Sequence, residues 1–195
     1  IRQRFPLKVI ENKPNVGGPA LPRNLGMAKA SGKFIAFLDA DDVWAPSKIS
    51  IQVDLLMRFA PEGGLCVTRH QKIQNPEAFI AVLQEEKPVK VSKSNLRVLW
   101  LKNLICLSSA MVSANLVNNC RFYPDPGLHG VEDYYFWLSL HCNGLSHVIR
   151  VDKQLVGYRI SNQNSLSGDK KRQNIRLLIG KKFKLKPFMG KKKLH

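Results

Sequence analysis

The stretch Phe34-Ile35-Ala36-Phe37-Leu38-Asp39-Ala40-Asp41-Asp42 decides the fold. Its five consecutive apolar residues predict a strand covered on both faces. Three acids then crowd into four positions at the strand's C-terminal end. They repel one another, so a cation or hydrogen-bond donors must offset them. Open α/β sheets bind their ligands at the carboxyl ends of strands. Oxygen ligands on a short turn suit Mg²⁺ or Mn²⁺, which keep waters and bridge to phosphates. The same acids also suit the N-terminus of a following helix, where the dipole favours negative charge. Taken alone, the cluster fits both readings.

Working outward, the chain alternates between strand and helix signals. Leu7–Ile10 predicts a short strand, and Asn15-Val16-Gly17-Gly18-Pro19 is turn chemistry. Ala20–Ala30 predicts a helix stopped by Ser31-Gly32, and a second helix should run from Pro46 to about Phe59. Leu65–Arg69 and Leu107–Val112 read as strands. Asn75–Gln84, Ser92–Leu101 and the short Ala114–Asn118 read as helices. Glu132–Cys142 predicts a helix, followed by strands at His147–Val151 and Val156–Arg159. This alternation argues an α/β domain with a mostly parallel central sheet.

The chain has 195 residues, 44% hydrophobic, with 31 Lys and Arg against 14 Asp and Glu. That composition excludes wholesale disorder. No apolar run approaches the roughly 20 residues that span a bilayer. The first residue is Ile1, and no signal-peptide pattern follows it, so a cut or processed chain is expected. Cys66, Cys106, Cys120 and Cys142 form no CxxC pair, which predicts reduced, mostly buried thiols rather than a zinc site or disulfide framework.

Charge is uneven. Asp169–His195 carries 11 Lys and Arg and one acid, out of a net charge of +17. The shift suggests a body of residues 1–168 and a basic tail of residues 169–195. Ile175, Leu178, Ile179 and Phe183 recur at helical spacing among the tail's Lys and Arg. Such a helix can lie on an anionic membrane surface through residues 170–195, or pack its apolar edge on the domain. Nucleic-acid binding is disfavoured, because Phe183 and Phe188 are the tail's only aromatics and no recognition motif accompanies them.

The ordered set of motifs resembles family 2 glycosyltransferases of the GT-A fold. Asn15-Val16-Gly17 matches that family's N-x-G turn, and Arg23-Asn24 its R-N pair. Ala30-Ser31-Gly32 matches its A-x-G helix end, and Leu38–Asp42 its LDxDD strand end. Glu132-Asp133 with Trp137 resembles its "ED…W" helix, and Tyr158-Arg159 with Ser165 and Ser167 is similar to its "YR…S.S" ending. Together these cover most of residues 7–168. Two departures stand out. The family's first strands, which end in acids near the nucleotide base, find no match, so a domain lacking its N-terminal strands is expected. Ser161 stands where the family often has His.

The resemblance implies an inverting enzyme that moves a sugar from a nucleotide donor, a UDP-sugar first, to a saccharide or lipid-linked hydroxyl. It implies Asp133 as catalytic base and Asp39, Arg23, Asn15 and Gly17 at the donor. Glu132, Tyr158 and Arg159 would serve acceptor contact or support, and Asp41 with Asp39 would hold Mg²⁺ or Mn²⁺. The structural alternative for Glu132-Asp133 is a pair of acids favoured by a helix N-terminus. Trp137 is expected in the core. The setting it implies is cell-surface polysaccharide assembly in the cytoplasm, at the inner face of the membrane. Two other classes stay open: an inactive binding remnant of the same fold, and a basic nucleic-acid-binding module.

Overall fold

A computed structural model describes residues 7–11, 17–75, 77, 79, 90–100, 102–145, 147–160 and 169–182. Alternation along the strands builds its layers. On β3 (Leu65–Ile73), Leu65 and Val67 enter one core while Cys66 enters the other. On β5 (Ala110–Ser113), Ala110 and Val112 join the first and Met111 the second. A sheet apolar on both faces must be covered on both. Helix α2 (Lys48–Phe59) covers one face with Leu55 and Leu56. Helices α1 (Ala20–Lys29), α3 (Glu132–Cys142) and α4 (Asp169–Lys182) contribute to the core on the other.

The strand order is β1-β5-β3-β6-β2, with β4 also paired to β6. Here β1 is Phe34–Ala36, β2 is Val43–Trp44, β4 is Val91–Asn95 and β6 is His147–Arg159. The fold class is α/β as expected, but the sheet is mixed. Among the described residues only β3 and β6 run parallel, and the other four pairings are antiparallel. Short strands β2, β4 and β5 each pair antiparallel with their neighbours, which is why parallel pairing does not dominate.

Several local expectations change. Leu7–Ile10 forms no strand, and Leu7 and Val9 are exposed. Strand β1 is shorter than expected and alternates: Ile35 and Phe37 are buried while Leu38 is exposed. The Ser92–Leu101 helix is instead β4 followed by a 3-10 helix at Leu96–Trp100. Strand β4 lies on the outer edge of β6, so its polar residues face water and hide the strand pattern. Leu107–Ser109 is a 3-10 helix leading into β5. The two late strands are one, β6, whose Asp152 and Lys153 bulge from the ladder beside Arg69. Most of the expected Asn75–Gln84 helix lies outside the described residues, as do Asn15, Ser161, Ser165 and Ser167.

The core on the α3 side is aromatic. Phe122 stacks on Phe136 at 4.4 Å between centroids, and Phe37 meets both edge-on. Trp137 is fully buried, as expected. Helix α4 turns Ile175 and Ile179 into this core, each 0% exposed. Arg176 donates to the Tyr134 hydroxyl and Lys182 to that of Tyr135. The apolar edge of this helix is therefore spent on the domain, and Leu177 is left outside. All four cysteines are free.

Candidate active site

The acids of residues 39–42 sit where β1 ends. Their turn closes through the Asp42 amide, which donates to the Asp39 carbonyl at 3.1 Å. The Asp39 amide donates to the Ser108 hydroxyl at 3.0 Å, and the Trp44 indole donates to the Ser108 carbonyl at 2.7 Å. Asp41 is exposed. Asp42 accepts from the Arg159 amide at 3.0 Å, and its second oxygen is buried with no protein partner. Desolvation pushes the Asp42 carboxyl upward, reinforced by Asp39 and Asp41 and opposed by Ser108 and the Arg159 amide.

Helix α3 brings the second pair of carboxylates. Glu132 and Asp133 occupy its first turn, where the dipole favours them. Glu132 is buried and accepts from the Gly130 amide at 2.7 Å. Asp133 keeps partial exposure and accepts from the Tyr134 amide at 2.6 Å and from Asn103 at 3.3 Å. Desolvation, with the neighbouring Glu132 charge, raises its carboxyl to about 7. A carboxylate poised there is matched to proton transfer near neutral pH.

Arg23 joins the two acid groups. One terminal nitrogen donates to Asp39 at 2.6 Å and the other to Glu132 at 2.5 Å. Its guanidinium also lies 5.4 Å from the centroid of the Phe122 ring. The adjacent Asn24 fixes this arrangement by a two-way bond with the Phe122 backbone, donating at 2.8 Å and accepting at 2.9 Å. The planar fork of arginine suits two carboxylates at once.

Tyr158 is exposed near the acid turn, its ring 5.7 Å from that of His70. Desolvation raises its phenol, with Cys106, Asp42, Asp39 and Asp41 adding to the effect. Cys106 feels both Asp42 and Asp133, and desolvation drives its thiol to about 12. The thiol thus stays protonated at neutral pH. Gly17 has φ of 74° on an exposed turn. A cleft of about 370 Å³ lies under α1 and β1, lined by Arg23 and mainly apolar residues such as Met27 and Phe37. None of the acids lines it, so the chemistry points to the carboxylate groups and not to this cleft.

Arg23 thus brings Asp39 and Glu132 together, with Asp41 on the Asp39 turn and Asp133 beside Glu132. Arg159 meets the turn through its amide and Tyr158 lies near it, while Gly17 stands on an exposed turn and Asn15 lies outside the described residues. Sequence reasoning missed Asn103, Ser108 and Cys106. Isolated polar residues in loops carry no spacing signal, and only the fold aims them at the acids.

A layered mixed sheet with acids at a strand end and a helix-borne carboxylate linked to them defines an α/β domain of the GT-A class. The structure of Staphylococcus aureus TarS residues 1–349 in complex with UDP-GlcNAc has the same fold. It matches with a TM-score of 0.64 and 16% identity over 89% of this chain and 49% of that one. The family model "Glycosyl transferase family 2" matches residues 1–114, and the chain belongs to that family. Escherichia coli WfgD, a UDP-Glc:alpha-D-GlcNAc-diphosphoundecaprenol beta-1,3-glucosyltransferase, is 31% identical over 78% of this chain and 55% of its own length. An uncharacterized glycosyltransferase of Rickettsia bellii is 51% identical over 76% of this chain and 20% of its own. The chain spans about half the length of WfgD and of the matched TarS structure.

Proposed function

We propose that this domain transfers a sugar from a nucleoside diphosphate donor, a UDP-sugar first, to a hydroxyl of a saccharide or lipid-linked acceptor, with inversion. The observation that carries this reading is the Arg23 bridge, which holds the Asp39 turn and the Asp133 helix in one assembly. Asp133 takes the proton of the attacking hydroxyl. Asn103 and the Tyr134 amide aim its carboxylate. Attack opposite the departing diphosphate inverts the anomeric carbon. Glu132 supports this geometry through Arg23 and the Gly130 amide.

The residues fit a Mg²⁺ or Mn²⁺ held through Asp41, with Asp39 beside it. Asp41 is exposed at the turn, and one oxygen of Asp42 is buried without a protein partner. No cluster of three His, Cys, Asp or Glu suited to a metal exists among the described residues. A cation held there would take its remaining ligands from diphosphate and water. Such an ion supplies neutralisation of the charge that develops on the leaving diphosphate.

The setting we propose is polysaccharide synthesis at the cytoplasmic face of a membrane. The names of similar proteins support it: WfgD acts on a diphosphoundecaprenol substrate by its name, and the Rhizobium meliloti protein ExoW, 30% identical over 56% of this chain, is named for succinoglycan biosynthesis. No helix among the described residues is long and apolar enough to cross a membrane. Contact through residues 170–195 would be electrostatic, since Ile175 and Ile179 are committed to the core.

Calorimetric titration with UDP, with and without Mn²⁺, tests the donor reading. Metal-dependent binding that Asp41→Ala abolishes is the expected result. Binding that ignores both the metal and the substitution contradicts it.

A further inference from the structure

Lys48 is a lysine with no exposed surface, on the opposite face of the sheet from α3. Burying an ammonium is costly unless it is paired or hydrogen-bonded. Its neighbours recur every fourth residue along the chain: Trp44, Lys48, Gln52. The ammonium lies 4.1 Å from the centroid of the Trp44 ring and donates to Gln52 Oε1 at 2.7 Å. An ammonium has only donors, so it demands the oxygen of the Gln52 amide. That fixes the Gln52 nitrogen outward, where it donates to the carbonyls of Cys66 and Ser109, each at 2.9 Å. Trp44, under the same cation, donates to the carbonyl of Ser108 at 2.7 Å.

Lys48 therefore touches both side chains that hold the consecutive carbonyls of Ser108 and Ser109. Ser108 in turn accepts from the Asp39 amide, and the Asp39 carbonyl accepts from the Asp42 amide to close the turn. We propose that Lys48 is a positioning residue for the acid turn, a buried cation that locks Trp44 and Gln52 onto the 107–109 segment and through Ser108 sets Asp39 and Asp42. Its consequence for the donor rests on the reading of Asp39 and Asp41 as the donor site. The chain of contacts itself does not.

The test is hydrogen exchange by NMR on the whole chain, comparing wild type with Lys48→Met. The substitution keeps the apolar stem and removes the donors. Loss of the hydrogen bonds it organises should speed exchange of the Asp39 amide about tenfold, while Phe136 and Leu138 in α3 stay within about twofold. An Asp39 amide that exchanges as in wild type overturns the proposal. Should Lys48→Met fail to fold, Trp44→Phe keeps an aromatic face under Lys48 and deletes the indole donor together with its second ring. It should loosen the Asp39 amide in the same way, and an unchanged amide again overturns the proposal. On the functional side, the variant's KM for the sugar donor should rise about tenfold with kcat within about twofold, since a tenfold change is a small positioning energy. A loss confined to kcat contradicts a positioning role. If wild type binds no nucleotide, the donor reading fails, and the exchange result still decides this inference.

Discussion

Arg23 and Glu132 lie 109 residues apart in the chain and meet at 2.5 Å. The second terminal nitrogen of Arg23 reaches Asp39, so one guanidinium spans the acid turn and the start of α3. Arg23 is itself mostly buried, with 17% of its side chain exposed. Removing one partner of a buried pair strands the other charge. Arg23→Met should therefore lower stability by about 3 kcal/mol in urea unfolding. Arg23→Lys should recover only part of that, because a lysine cannot fork to two carboxylates. A loss under about 0.5 kcal/mol for Arg23→Met, the range of ordinary surface changes, would deny the bridge its role.

Gly17 and Gly18 should answer differently to alanine. Both have positive φ, at 74° and 71°. A Cβ on Gly17 meets nothing within 4 Å, whereas one on Gly18 meets the His129 ring at 2.2 Å. Gly17→Ala should cost about 1 kcal/mol of backbone strain. Gly18→Ala should cost at least about 1 kcal/mol more, since the ring beside α3 must move. Equal thermal midpoints for the two variants would contradict this packing.

The two faces of α4 make a matched pair. Ile175 is fully buried and Leu177 is 57% exposed. Ile175→Ala should cost about 2 to 4 kcal/mol, and Leu177→Ala less than about 0.5 kcal/mol. Chemical denaturation of both variants checks it. Similar costs would mean that this helix does not dock as described.

Much of this organisation was legible beforehand, and its failures have physical causes. Ala20–Lys29 follows its sequence pattern because its stop signal and apolar spacing agree, and Glu132–Cys142 because its apolar residues bury it on nearly every side. Val91–Asn95 misled because Leu96 and Leu99 supply helical spacing just beyond it, while its own ladder comes from the distant β6. The acids of the site were visible as a cluster. Their partners were not: Arg23 reaches Glu132 only once α1 and α3 pack together, and Ser108 reaches Asp39 only through β1 and β5. Lys48 is fully buried, and nothing in the local sequence pattern announces a buried ammonium near a helix start.

Asp133 makes stability depend on pH. Its carboxyl is raised from 3.8 to about 7, with desolvation first and Glu132 second among the causes. Between those values the folded chain holds a proton that the unfolded chain has lost, so this group's contribution falls as pH rises from about 4 to about 7 and is flat above. Asp133→Asn removes that slope. The variant should gain about 1 to 3 kcal/mol relative to wild type on going from pH 5 to pH 8, within the limit set by the shift. Urea midpoints at the two pH values measure it. A difference that stays constant with pH would mean that the carboxyl titrates normally.

UDP binding and sugar transfer from a UDP-sugar to an acceptor hydroxyl, read in the same Asp133→Asn sample, separate donor binding from the chemical role of Asp133. The account predicts that UDP affinity stays within about twofold of wild type while turnover falls at least about a hundredfold, as removal of a general base requires. It also predicts that wild-type turnover rises with pH through about 7 as Asp133 loses its proton. Turnover that survives the substitution, alongside intact binding, would contradict Asp133 as the base and with it the proposed reaction at this site.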